Sequence, residues 1–381
     1  MGNDRQFRYF STFSGIGGFE LGIQNAYRAT HGVGSSRAQA DNERGGQGLL
    51  RPARQAIGAS DGRPSASPEY QTDYGPLCVG YSEIDKYAIK VYERHFNEHK
   101  AYGDITTINA DTLPDFDCLV GGFPCQAFSI AGRRRGFDDT RGTLFFDLAR
   151  ILRAKQPRLF VFENVKGLLS HDNGNTFKTI ISTLTELGYD LQWQVLNSKN
   201  HGVPQNRERV IIVGHLRNTP RPQVFPFRED DRLHNAPNAP DGSQPQAQLS
   251  TTVRVGMATK ADSTFIAHNI YGGFGETKVR EFHDYAPTVR TPAGGGHIPA
   301  VVTETKIRRL TPKECERLQG FPDDWTALGI GDELISDTQR YKMCGNAVTT
   351  NVIQAAFERI LATPNSKEVV KDKLNKGEVK C

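Results

Sequence analysis

Apolar and polar positions along this chain switch repeatedly between two spacings. Short apolar runs read as buried strands: Arg8-Tyr9-Phe10-Ser11-Thr12-Phe13, Cys78-Val79-Gly80-Tyr81-Ser82, Asp117 to Val120, Leu159-Phe160-Val161-Phe162, Leu191 to Leu196 and Val210 to Gly214. A shorter strand segment is expected to end at Gly103-Asp104. Between these runs the apolar residues recur three and four apart, predicting helices that open at Phe19 and span Asp85 to Phe96, Leu144 to Leu152 and Thr176 to Leu187. Strands alternating with helices in this way predict a doubly wound, mainly parallel α/β sheet covered on both faces. Near the end, Thr311 to Leu318 reads as a helix with Thr311 as N-cap, Pro312 in the first turn and Glu314 at the third position. Val348 to Leu361 reads as a final helix.

The pattern fails in three places. Residues 30–77 are rich in Gly, Ala, Arg, Ser and Gln without apolar periodicity and predict a flexible insertion. It joins a helix to the next strand, so it should leave the sheet on the edge away from any ligand. Residues 217–303 are rich in Pro, Gly, Asn and Gln with short β-like pieces, and residues 364–381 form a charged tail. At 381 residues the chain exceeds the size at which one core stops growing. The expected division is a main domain of 1–216 plus 338–363, a smaller irregular domain with its hinge over 217–337, and the tail.

Composition narrows the class. With 37% hydrophobic and 24% charged residues the chain is of soluble globular type, and no apolar run could span a bilayer. No secretory signal opens it, and the cysteines at 78, 118, 125, 315, 344 and 381 form no Cys-x-x-Cys pair. Neither zinc nor a disulfide framework is suggested, and a reducing cytoplasm fits. The net charge of +4 permits nucleic-acid binding without demanding it.

Chemistry concentrates where strands end. Gly121-Gly122-Phe123-Pro124-Cys125-Gln126 follows the apolar run 117–120. Pro124 stops the strand, and Cys125 is presented at a strand's carboxyl end, the ligand side of an open α/β sheet. A free cysteine is more often a small buried hydrophobe. Its neighbours make this one a candidate nucleophile. Ser14-Gly15-Ile16-Gly17-Gly18 forms a turn after the first strand, Glu83 ends the second, and Asp104 ends the third. A glycine turn and two acidic acceptors, with no Walker loop, outline an adenosine pocket without a phosphate grip. That favours S-adenosyl-L-methionine over NAD or ATP. Glu163 closes the apolar strand 159–162, where a carboxyl drawn out of water holds a proton more readily.

These blocks together resemble the bacterial C5-cytosine DNA methyltransferases: Phe13 to Phe19, Ser82-Glu83-Ile84-Asp85, Gly103-Asp104-Ile105, Gly121 to Ser129, Arg141 to Phe145, Phe162-Glu163-Asn164-Val165, Gln205 to Arg209, Arg309 to Cys315 and Gly345-Asn346-Ala347-Val348. The resemblance implies a Rossmann-like methyltransferase fold with a smaller target-recognition domain. It implies that Cys125 adds to cytosine C6, that Glu163 serves the ring's N3, and that Arg207 and Arg209 hold the base and its adduct. The cofactor would lie against Phe13, Gly15, Gly17, Gly18, Phe19, Glu83, Ile84, Asp104, Ile105, Pro124, Leu144, Asn346 and Val348. Duplex DNA would be flipped and held by Ser129, Arg133, Arg134 and Arg135, with Thr288, Gly294 and Gly295 in the recognition core. A restriction-modification role is implied, for a monomer beside a separately acting cognate endonuclease. This sequence departs from the pattern at Ile84, where relatives carry an aromatic, and at Met343 and Cys344. The competing readings are a tRNA cytosine-5 methyltransferase and a non-catalytic DNA-binding regulator that kept the fold.

Overall fold

The computed structural model describes residues 6–32, 75–124, 144–228, 265–268, 280–291, 298–302 and 307–362. The first half builds one six-stranded sheet from β1 (Arg8–Thr12), β2 (Leu77–Ser82), β3 (Cys118–Gly122), β4 (Leu159–Val165), β5 (Tyr189–Asn197) and β7 (Glu208–Leu216). Their order is β2-β1-β3-β4-β7-β5. The pairs β1–β2, β1–β3 and β3–β4 are parallel, whereas β7 runs antiparallel to both β4 and β5. The strand reversal turns the amino end of β7 toward the carboxyl ends of β1 to β4.

Alternation along the strands separates two cores. Phe10, Leu119, Phe160, Phe162 and Ile212 face α3 (Leu144–Lys155) and α4 (Asn175–Glu186). Tyr9, Cys118, Val120, Val161 and Val213 face α1 (Gly18–His31) and α7 (Thr350–Leu361). Helices therefore cover both faces, as the pattern predicts. The α1–α7 seam is tight: a Cβ on Gly22 would stand 2.7 Å from the Ile353 side chain. The last helix thus packs back onto the first, although it begins at Thr350 rather than Val348.

Beyond the sheet, α2 (Lys86–His95) follows β2, and a two-residue parallel pair joins β6 (Gln205–Asn206) to β10 (Ala286–Pro287). A second sheet has the order β12-β11-β8-β9, from β8 (Phe265–His268), β9 (Arg280–Phe282), β11 (Ala300–Val302) and β12 (Ile307–Arg309). Next comes α5 (Pro312–Leu318), whose Thr311 and Glu314 form the expected reciprocal capping box. The helix α6 (Asp337–Asn346) precedes α7.

The expected strand ending at Gly103-Asp104 is reduced to a single bridge between Tyr81 and Ala101. Asp104 instead caps a 3-10 turn over Ile105–Thr107, accepting from the Thr106 amide at 2.9 Å. Short polar side chains favour such caps over continued strand. The helix before the insertion continues to His31 and is capped by Gly32, so most of the insertion 30–77 lies outside the described residues. Among the described residues no helix is long and apolar enough to cross a membrane.

Candidate active site

A cavity of about 490 Å³ opens at the carboxyl ends of β1 to β4. That lies within the roughly 300–1,000 Å³ common for small-ligand sites. The β1 exit turns sharply: Phe13 has φ 51° and Gly15 φ 55°. A bulky residue in the left-handed region is strained and persists where surrounding structure imposes it. Glu83 holds this turn: one carboxylate oxygen accepts from the Gly15 amide at 2.8 Å, the other from the amides of Ile84 and Asp85 at 2.8 and 2.9 Å. Ile84 projects beside it, 71% exposed at the cavity.

Asp85 caps α2 by accepting from Tyr87 and Ala88, and its other oxygen meets Lys342 Nζ at 2.6 Å. Burial alone would raise the Asp85 carboxyl; the Lys342 hydrogen bond and the two amides outweigh it and hold the group below its ordinary value. Both residues line the cavity, and the ion pair ties α6 to the β2 exit.

The opposite wall comes from β3, β4 and β7. Glu163 Oε1 lies 2.8 Å from Arg209 Nε, with both side chains largely buried. A Cβ added to Gly122 would stand 3.1 Å from Glu163 Oε2, so the carboxylate packs against the chain three residues before Cys125. Asn164 donates to the Phe123 carbonyl at 2.9 Å and accepts from the Val165 amide at 2.8 Å, fixing the β3 exit to the β4 exit. Arg207 is only 2% exposed. Its guanidinium donates to the carbonyls of Val289 at 3.0 Å, Gly345 at 3.2 Å and Ala347 at 2.8 Å. Burial, then the neighbouring Arg209 cation, push its pKa down to about 9, while Glu163 pulls the other way.

Several expected site residues meet in this cavity: Phe13, Gly15, Glu83, Ile84, Asp104, Ile105, Pro124, Leu144, Glu163, Arg207, Arg209 and Asn346. Four expected cofactor residues are not in its wall. Gly17 packs against Phe96, where any Cβ would collide at 2.3 Å, and Gly18 packs on Val348. Phe19, in the first turn of α1, is core, with Val348 against the same cluster. They shape the turn by packing behind it. Thr288 is half-buried and donates to the Asn206 carbonyl at 2.8 Å. Cys125, Ser129, Arg133, Arg134, Arg135, Gly294 and Gly295 lie outside the described residues, as does the tail 364–381. Sequence reasoning passed over Asp85, Asn164 and Lys342. The first two stand inside blocks it quoted; Lys342 carried no signal except its place three residues before Gly345.

The other described cysteines are unsuited to nucleophilic work. Cys78, Cys118, Cys315 and Cys344 are buried, and burial raises each thiol far above its ordinary range.

A sequence model of the C-5 cytosine-specific DNA methylases matches residues 72–362. The chain belongs to this family, and it is a DNA (cytosine-5-)-methyltransferase. It is 40% identical over 295 residues to the Type II methyltransferase M1.ScrFI of Lactococcus lactis subsp. cremoris, covering 74% of this chain and 71% of that protein. It is 38% identical over 314 residues to the Type II methyltransferase M.HhaI of Haemophilus parahaemolyticus, covering 77% and 90%. In fold it resembles the crystal structure of S. pombe Dnmt2 methyltransferase, with TM-score 0.59 and 16% identity over 93% of this chain and 98% of that one.

Proposed function

We propose that the enzyme takes its methyl group from S-adenosylmethionine and works through a covalent Cys125–cytosine adduct on a base flipped out of duplex DNA. The observation carrying this reading is the position of Glu163 in the cavity wall, held by Arg209 and packed against Gly122, three residues before Cys125 in the sequence. The cavity also suits the cofactor. Glu83 and Asp104 offer carboxylates to hydroxyls, Gly15 leaves open space where a side chain would stand, and Phe123, Leu144 and Ile105 supply apolar wall. When bound, the cofactor supplies an electrophilic methyl on sulfonium sulfur.

Cytosine C5 is too weak a nucleophile alone. The Cys125 thiolate forms a bond to C6, and the electron pair displaced from the C5–C6 double bond makes C5 nucleophilic. Glu163 at the Watson–Crick edge donates a hydrogen bond or proton at N3 and takes up the developing charge. After C5 gains the methyl, loss of its proton to a base restores the double bond and expels the thiolate. Arg209 orients Glu163 and faces the base. The duplex must yield the base first, since C6 is inaccessible in the stack. The smaller domain over 217–303, with Thr288, Gly294 and Gly295 in its recognition core, reads the sequence, and the Type II role of the relatives supports a role beside a cognate endonuclease acting separately.

The test is transfer of labelled methyl from S-adenosylmethionine to duplex DNA and to tRNA, in parallel. Incorporation into DNA alone is expected; incorporation into tRNA alone overturns the substrate assignment. A duplex with 5-fluorocytosine at the target retains the adduct, because fluorine cannot leave as a proton does. Peptide mapping should place that adduct on Cys125, and finding it on Cys118 or Cys315 would refute the nucleophile.

A further inference from the structure

We infer that Arg207, with Gln205, is a positioning device coupling duplex binding at the Thr288 segment to cofactor binding beside Asn346. This rests on the proposed function, with DNA at Thr288 and cofactor in the cavity that Asn346 lines. The residues stand at β6 and at its junction with β7, and both side chains reach away to other segments. Arg207 grips one carbonyl directly after Thr288, that of Val289, and the two carbonyls flanking Asn346, those of Gly345 and Ala347. Gln205 is fully buried; it accepts from the Val289 amide at 2.9 Å and donates to the Leu318 carbonyl at 2.7 Å at the end of α5. Val289 is therefore held at both its amide and its carbonyl by these two side chains.

The two gripped segments also touch directly. A Cβ on Gly345 would lie 2.5 Å from Arg290 C and Thr291 N, so the end of α6 and the segment after Thr288 are pressed backbone to backbone. A buried guanidinium donating to three carbonyls fixes their mutual geometry through a planar fork, which an ammonium cannot copy. Movement of residues 288–291 against DNA must then carry residues 345–347 with it, and the cavity wall around Asn346 moves in step. Binding at either place biases the same packed unit, and thermodynamic linkage makes the effect reciprocal.

The experiment measures duplex affinity with and without saturating S-adenosylhomocysteine, and S-adenosylhomocysteine affinity with and without duplex, for the full chain. Wild type should show tightening by one common factor of at least about 5-fold, within the range usual for coupled sites. In Arg207→Lys and in Gln205→Met that factor should fall below about 2-fold, and in Gln205→Met each separate affinity should stay within about 5-fold. A merely structural role would lower both affinities and leave the factor unchanged, and that result overturns the inference, as does a wild-type factor near one. Should both variants fail to fold, amide exchange in the wild-type chain decides. S-adenosylhomocysteine alone should slow exchange of the Val289 amide, and unchanged exchange there overturns the coupling. If wild type binds neither ligand and transfers no methyl, the proposed function fails and the inference with it; intact binding and transfer without coupling sinks the inference alone.

Discussion

Two carboxyls withdrawn from water, in two regions of the molecule, are met by different partners. Glu163 sits in β4 with the Arg209 guanidinium at 2.8 Å. Glu20 sits in the first turn of α1, completely buried, and meets the Tyr92 hydroxyl at 3.0 Å. Tyr92 leads on to His99, which burial pushes down to about 4 and so keeps neutral. Burial drives the Glu20 pKa from 4.5 to about 7, against the hydrogen bonds from Ser11 and Tyr92. Withdrawal from water is met by a cation in one region and by a hydroxyl in the other. The antiparallel β7 is what brings a guanidinium to the carboxyl end of β4; beneath α1 the neighbour is a phenol.

The sharpest way to break this comparison is Glu163→Gln. Methyl transfer should fall by roughly 10²–10⁴, the usual range for a lost general acid, while S-adenosylhomocysteine binds almost as before. Retention of more than a tenth of the wild-type rate in single turnover would remove Glu163 from the chemistry. Arg209→Met should also be severe, because it leaves a largely buried carboxyl without its cation. The pair should be strongly non-additive: once Glu163 is Gln, removing Arg209 should cost little more. Additive losses would mean that Arg209 acts on the base independently of Glu163.

The Glu20 region predicts a pH effect on stability. A carboxyl whose folded pKa exceeds its unfolded value binds more protons when folded, so its contribution is fully present below pH 4.5 and is lost as pH rises through 7. The loss is roughly 3 kcal/mol at 1.36 kcal/mol per unit, an order-of-magnitude figure. Glu20→Gln removes that dependence. Urea unfolding of both proteins from pH 5 to 8 should show the variant gaining on wild type as pH rises. A constant difference across that range would show that Glu20 does not titrate there.

Much of this was readable in the sequence, for identifiable reasons. Strand, glycine turn and helix at 8–31 and the capping box at Thr311 are local, set by residues within a turn of each other. Alternation at Phe160, Val161 and Phe162 directly encodes two covered faces. The partnership of Glu163 with Arg209 spans 46 positions and requires β7 to insert antiparallel between β4 and β5, which no local pattern states. Arg207 was harder still. Arginine is rarely fully buried, and its three acceptors are backbone carbonyls 82 to 140 positions away, whose identity leaves no trace in side-chain pattern. Asp104 misled because a capped turn and a strand end both favour a short polar residue after glycine.

A smaller effect is expected at Glu83. Its carboxylate already holds three backbone amides, so Glu83→Ala both removes a hydroxyl acceptor and loosens the Phe13–Gly15 turn. Cofactor affinity should fall about tenfold, near the 1.5–3 kcal/mol typical of a charged hydrogen bond, with duplex affinity in the absence of cofactor unchanged. Calorimetric titration with S-adenosylhomocysteine checks this, and an unaltered dissociation constant would exclude Glu83 from the pocket.

The smallest effect should come from replacing most of residues 33–74 with a short Gly-Ser bridge. The segment leaves from Gly32 at the end of α1 and returns at Gly75, just before β2 starts at Leu77. Those ends lie at the amino side of the parallel strands, away from the cavity at their carboxyl ends. They are also close together: a Cβ on Gly75 would stand 3.7 Å from Tyr27 in the last turns of α1. Closure entropy varies only with the logarithm of loop length, so shortening costs little stability. Methyl transfer should stay within about twofold of wild type on this argument. The opposing idea is a DNA-binding arm, since the segment carries Arg37, Arg44, Arg51, Arg54 and Arg63. If these arginines neutralise phosphates, each one removed would lower the salt dependence of duplex affinity by about one unit of slope. A deletion variant whose slope drops by several units would make the segment part of the DNA-binding surface, and would move that surface to the side of the sheet opposite the paired charges.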